Sequence, residues 1–177
     1  EFLKRLSPEQ LNSLKQSQPG QCPYCLISEG KIKAKKIYED NEIIAALEIN
    51  PASLGHTIVF PKKHLSVLAQ LKDVSNLFNV TNKVASVLFE NLKAQGTNIL
   101  VSNGPAAGQV IPHLVVEIIP RFEKDKINFN LPRKKASEQE LEKILSSLKG
   151  KITLEKKPEE KPKPTTIKIA KKTERLP

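Results

Sequence analysis

Two hydrophobic periods alternate along this chain, and their order limits what it can fold into. Val74, Leu77, Phe78, Val84, Leu88 and Leu92 recur at helical spacing on one face. On either side of that stripe the apolar residues come instead in short β-branched runs. Lys35 to Tyr38, Ile43 to Ile49 and Thr57 to Phe60 precede it; Asn98 to Ser102 and Leu114 to Ile119 follow it. Strand-length runs in mainly meander order around one long helix predict an α+β domain with an antiparallel sheet. Asp40-Asn41 supplies the first turn, and Pro51 to Gly55 breaks the chain before the third run. Gly96 is expected to cap the long helix. The last two runs are joined by the loop Asn103-Gly104-Pro105-Ala106-Ala107-Gly108-Gln109.

The flanks read differently. Ser7-Pro8-Glu9-Gln10 carries a helix-start signature, which assigns residues 1–20 to an N-terminal helix ended by Pro19-Gly20. Ser137-Glu138-Gln139-Glu140 is a second capping box. It opens a helix carrying Leu141, Ile144, Leu145 and Leu148 within residues 133–150, with the main domain spanning 21–132. Beyond Gly150 the apolar period is lost and Lys, Glu, Pro and Thr dominate. Residues 151–177 are therefore expected to be an extended tail that does not order itself in isolation.

Charge follows that division. Lys and Arg outnumber Asp and Glu by 29 to 19, a net +10. From Gly150 on, 8 Lys and 1 Arg face 4 Glu, so half of the excess sits in the tail. Lys156, Lys157, Lys161, Lys163, Lys168, Lys171, Lys172 and Arg175 fit an RNA or ribonucleoprotein partner, and charge alone fits a solubilising role equally well. Thr165-Thr166-Ile167-Lys168-Ile169 also has the alternation of a strand that could add to a sheet edge. No apolar stretch is long enough to cross a membrane. Glu1 to Arg5 lacks the features of a secretory signal, although the chain does not begin with Met.

The only cysteines are Cys22 and Cys25, in Cys22-Pro23-Tyr24-Cys25. Two lone thiols are not a disulfide framework; they suggest a cytoplasmic metal or redox site. A two-residue spacer aims both thiolates at one tetrahedral ion. The same tetrapeptide resembles the active site of glutaredoxin-like proteins, where a helix N-terminus behind the cysteines lowers a thiol pKa. Gly30 and the dense lysines after it are expected to prevent such a helix, which favours zinc over redox. Any further ligands must come from the three histidines, His56, His64 and His113.

Asn50-Pro51-Ala52-Ser53-Leu54-Gly55-His56-Thr57-Ile58-Val59-Phe60-Pro61-Lys62-Lys63-His64, then Asn103-Gly104 with Ala107-Gly108-Gln109, then Pro112-His113 running into Ile118-Ile119-Pro120-Arg121, together resemble the histidine triad (HIT) family in its archaeal and bacterial style. With the cysteine knuckle they cover roughly residues 20–130 in the family's order. The resemblance implies a HIT-like sheet of about five strands with a long central helix. In zinc-containing members, and in the related galactose-phosphate uridylyltransferases, the corresponding residues hold Zn²⁺. The ligands implied here are Cys22, Cys25, His64 and His113. Members are often dimers, which implies a possible homodimer.

The family's triad is His-x-His-x-His, whose middle histidine attacks the α-phosphate. Here the segment reads His113-Leu114-Val115-Val116-Glu117. An isopropyl group has no lone pair, so Val115 cannot form the nucleotidyl intermediate. Glu117 replaces the histidine that helps hold phosphate, and a carboxylate about 4 Å from a phosphate opposes binding by roughly 1 to 4 kcal/mol, depending on effective dielectric. No catalytic residue is assigned. The resemblance leaves Glu48, His56, Asn103, Gly108 and Gln109 as nucleotide contacts, with turn chemistry an equal reading for Asn103 and Gly108. Ala46 stands where a bulky base-packing residue is common. The expected function is a zinc-stabilised pseudoenzyme that binds a nucleotide, RNA or a protein partner. The alternatives are a nucleotide hydrolase or nucleotidyl transferase using Glu117 and His56, and a thiol redox protein using Cys22 and Cys25.

Overall fold

The computed structural model describes residues 22–152. The helix expected over residues 1–20 lies outside the described residues, as do all eight basic tail positions named above and the strand-like segment Thr165 to Ile169. The chain divides into two units, Glu1–Phe129 and Asn130–Pro177.

The first unit is an open sheet covered on both faces. Helix α1 (Pro23–Ser28) comes first, then strands β1 (Lys36–Glu39), β2 (Ile43–Leu47) and β3 (Thr57–Pro61). A short 3-10 turn (Leu68–Gln70) leads into α2 (Ser75–Leu92), followed by β4 (Gly96–Leu100), a second 3-10 turn (Pro105–Ala107) and β5 (Val116–Arg121). All pairings are antiparallel. The order is β1-β2-β3-β5-β4, so the meander ends at β3 and β5 inserts between β3 and β4.

Strand alternation sorts the core onto two sides. Ile43 and Ala45 of β2, Val59 of β3, and Val116 and Ile118 of β5 pack against Leu77, Val80, Val84, Ala85 and Leu88 of α2. The intervening positions, Ile44, Ala46, Ile58 and Phe60, form the other side with Ile27, Tyr24, Ala34 and Val115. Ala46 is thus a core residue packed beside Phe60, with no exposed surface to offer a base. Val115 and Glu117 lie two apart on the strand path, which puts both on the α1 side.

Several boundaries differ from the sequence expectation. The long helix closes at Lys93, which adopts a left-handed φ of 57°, and Gly96 starts β4 instead of capping. The last strand begins at Val116, so His113 precedes it. The amide of Leu114 donates to the carbonyl of Leu65, which diverts this stretch from sheet pairing toward the 62–67 loop. A helix also stands directly behind the first cysteine, against expectation: Cys22 is the N-cap of α1 and Pro23 its first residue. Gly30, at φ 75°, lies beyond this six-residue helix and so does not oppose it.

Gly55 sets the approach to β3. It holds φ at +79°, and an added Cβ would meet Leu92 Cδ1, with Leu88 and Pro120 side-chain carbons at 3.5 Å. Leu92 is flexible enough to yield, so backbone strain is the main penalty of a substitution. Gly55→Ala is expected to destabilise the unit by about 1 to 3 kcal/mol. A urea melt with an unchanged midpoint would contradict this.

The second unit contains α3 (Glu138–Leu148). Its capping box forms as the sequence predicts: Ser137 Oγ accepts from the Glu140 amide and the Glu140 carboxylate accepts from the Ser137 amide.

Candidate metal centre and the adjoining recess

Three segments far apart in sequence meet beside α1. Cys22 and Cys25 come from its first turn, His64 from the loop after β3, and His113 from the stretch before β5. Their donor atoms all lie within 4.8 Å of one another. Cys22 Sγ is 3.3 Å from His113 Nδ1, Cys25 Sγ is 3.2 Å from His64 Nδ1, and Cys25 Sγ is 3.7 Å from His113 Nδ1. A tetrahedral ion with ordinary zinc–sulfur and zinc–nitrogen bonds sets such S···N edges at about 3.5 Å, so the donors fit Zn²⁺ in type and spacing.

The surroundings orient those donors. His113 Nε2 donates to the Pro61 carbonyl at 2.9 Å, which fixes the tautomer and leaves the Nδ1 lone pair facing the sulfurs. The ring is clamped between Tyr24, His64 and Phe60, with centroids 5.3, 5.1 and 5.8 Å away. Cys22 and His113 are each 1% exposed, and His64 is half-buried. Burial lowers the pKa of His113 to about 4, keeping the ring neutral and able to ligate. Burial and the neighbouring Cys22 push the Cys25 thiol up to about 12. A bare Cys25 thiol in this setting resists forming a thiolate. A bound cation reverses that balance.

Next to the cluster is a recess of about 120 Å³, lined by Tyr24, Ser102, Gly108, Gln109, Val110, Ile111, His113, Val115 and Glu117. Val115 and Glu117 therefore face the same space as His113. Of the positions expected to contact a nucleotide, Gly108 and Gln109 line it, whereas Glu48, His56 and Asn103 do not. Asn103 Oδ1 accepts from the Leu68 amide at 2.8 Å, which is a loop-fixing role. Glu48 accepts from the Asn50 amide. His56 is buried; its Nδ1 accepts from the Ala52 amide, and its Nε2 has no hydrogen-bond partner. Gln109 is fully engaged: Oε1 accepts from the Gly104 amide, and Nε2 donates to the carbonyls of Ser66 and His113.

The sequence reading missed Tyr24, Ser102, Val110 and Ile111 as recess walls. Only Tyr24 carried a signal, its place inside the cysteine knuckle. Burial pushes its hydroxyl up to about 12, aided by the nearby carboxylates of Glu48 and Glu117.

Comparison with known proteins decides the family. The HIT domain family matches residues 29–124. This chain belongs to the HIT family. The matched segment contains His64 and His113 but begins after Cys25, so the knuckle lies upstream of it. An uncharacterised HIT-like protein of Methanocaldococcus jannaschii is 37% identical over 133 residues, covering 73% of this chain and 99% of that relative. The crystal structure of a HIT family member from Bacillus subtilis matches with a TM-score of 0.70 at 29% identity, covering 76% of this chain and 99% of that one. A zinc-bound histidine triad family protein from Mycobacterium smegmatis matches with a TM-score of 0.59 at 32% identity, covering 73% and 94%. The five-stranded antiparallel sheet expected from sequence is thus a HIT fold. Among the described residues, no helix is long and apolar enough to cross a membrane.

Proposed function

We propose that this HIT protein is a zinc-stabilised binding module without the family's phosphate-transfer chemistry, and that its basic tail is the arm that contacts RNA or a ribonucleoprotein. The observation that carries this reading is the recess itself, where Val115 and Glu117 stand on the same side as His113. Without a nucleophile there, no covalent intermediate forms by the family route. The recess, at about 120 Å³, is also well below the roughly 300 Å³ at which small-molecule pockets begin.

Cys22, Cys25, His64 and His113 supply four protein donors, and Zn²⁺ held by all four would be a structural crosslink with no open coordination position. The zinc-bound relative from Mycobacterium smegmatis supports the choice of ion. Within the chain, Pro61 holds the His113 tautomer, and Tyr24 and Phe60 keep water from the cluster.

Ending the chain at Gly150 tests the tail. The full chain is expected to retain single-stranded RNA at low salt and to lose at least about tenfold in affinity between 50 and 200 mM salt. The shortened protein should bind at least about tenfold more weakly at low salt, with a flatter salt dependence. Equal retention by both forms in filter binding would remove the tail from the proposed function. Turnover of adenosine 5′-phosphoramidate by the native protein, at a rate near that of an active relative, would overturn the loss of chemistry.

A further inference from the structure

The recess beside His113 has the wrong polarity for a phosphate. An anion pocket needs free donors, and here the amides of the 104–109 loop and the Gln109 side chain are committed. The amides of Ala107, Gly108 and Gln109 donate to the carbonyls of Gly104, Pro105 and Gly104 within their own loop. The Gln109 side-chain nitrogen is spent on the carbonyls of Ser66 and His113. What remains is the Glu117 carboxylate, the hydroxyls of Ser102 and Tyr24, the Tyr24 ring and the aliphatic walls of Val110, Ile111 and Val115. Glu48 adds a second carboxylate near Tyr24. Neither Glu48 nor Glu117 has a cation partner among the described residues, although the chain carries an excess of 10 positive charges. A Cys2His2 zinc site would not cancel their field, because two thiolates neutralise the ion.

We propose that this recess is a cation site that takes a primary alkylammonium group, as carried by the end of a lysine side chain. This rests on the reading that the recess has lost its phosphate chemistry. The match is one of size and polarity together. A space of about 120 Å³ admits the end of a chain and not a nucleotide. Val110, Ile111 and Val115 cover a methylene stem, Glu117 and Ser102 accept from the ammonium, and the Tyr24 ring adds a cation–π face.

The test is an NMR titration of the zinc-loaded full chain with n-butylammonium, Nα-acetyl-lysine amide, inorganic phosphate and AMP, at constant ionic strength. Both amines are expected to shift the Tyr24 ring signals saturably and to show cross-relaxation between their methylene protons and that ring. Phosphate and AMP should leave the ring unshifted. Equal binding of the two amines identifies a free amine as sufficient; tighter binding of the lysine derivative identifies a peptide source. Glu117→Gln should weaken either amine roughly tenfold or more, as loss of a charged hydrogen-bond acceptor does. The proposal is overturned by absence of a saturable amine shift, by undiminished binding in a folded Glu117→Gln protein, or by phosphate saturating the Tyr24 signals. Should that variant fail to fold, the methylene-to-ring cross-relaxation in the native protein decides alone. A missing amine shift with no phosphoramidate turnover rejects the cation site and leaves the loss of chemistry standing; turnover rejects the latter.

Discussion

Cys25→Ser is expected to abolish cooperative folding of the first unit. The metal cluster links α1, the loop after β3 and the approach to β5, across separations of 39 residues from Cys25 to His64 and 88 to His113. Structural zinc in a site of this donor type contributes on the order of 10 kcal/mol or more of folding free energy. The whole stability of a domain is commonly about 5 to 15 kcal/mol. Losing most of that term leaves little margin, and the small core beneath α1, chiefly Ile27 and Tyr24 against Phe60, is poorly placed to replace it. Cys22→Ser and His113→Ala should be equally severe, because both residues are sealed from solvent and His113 also holds the Pro61 carbonyl. His64→Ala should be milder: His64 is half-buried, so water can reach the ion in its place. Metal analysis should find one zinc per chain in the native protein and far less in Cys25→Ser. A strong chelator should lower the melting temperature and added zinc restore it. A metal-free protein that melts at the same temperature as the zinc-loaded one would remove zinc from the account of stability.

How much of this was legible beforehand depends on which forces set each feature. The sheet and long helix could be read because periodicity reports burial directly: Leu77, Val84 and Leu88 sit where a 3.6-residue period places them. The capping box at Ser137 was readable because it is a local hydrogen-bond pattern. The strand order was not, since insertion of β5 between β3 and β4 is decided by pairing across long loops. Gly96 misled because a glycine after a helical stripe serves a cap or a strand start equally, and Lys93 took the left-handed position. The knuckle helix was missed although Pro23 is the usual first helical residue; a single turn held by tertiary packing has too short a period to detect. The cysteine half of the metal cluster was legible in its two-residue spacing, but the choice of His64 and His113 came only through the family resemblance, since nothing in spacing ties Cys22 to a histidine 91 residues away. A loop role for Asn103 was one of two readings, but the partners that Asn103 and Gln109 take could not be read. They depend on where the backbone of Ser66 and Leu68 passes.

The largest effect expected on chemistry concerns Val115 and Glu117. The native protein should hydrolyse adenosine 5′-phosphoramidate some 10⁴ to 10⁶ times more slowly than an active HIT enzyme, the scale of a missing nucleophile. Restoring the histidines separates two causes of that loss. Positions 113, 115 and 117 alternate along the strand path, so histidines at 115 and 117 would share the α1 side with His113. Val115→His alone returns a nucleophile but leaves the Glu117 carboxylate against the incoming phosphate, a repulsion of roughly 1 to 4 kcal/mol, or about 5- to 1000-fold. The single variant should therefore recover only part of the loss, about 5- to 1000-fold less than a nucleophile free of that repulsion. Val115→His with Glu117→His removes the repulsion and should exceed the single variant by that same factor, at least about fivefold. Recovery should still fall short of an active relative. The amides of Gly108 and Gln109 stay bonded to their own loop, and the Gln109 side chain to Ser66 and His113, so transition-state charge would find few donors. Single-turnover assays on zinc-loaded protein check the order native, single, double. Equal rates for the single and double variants would show that Glu117 does not oppose phosphate, and the polarity assigned to the recess would fall with it.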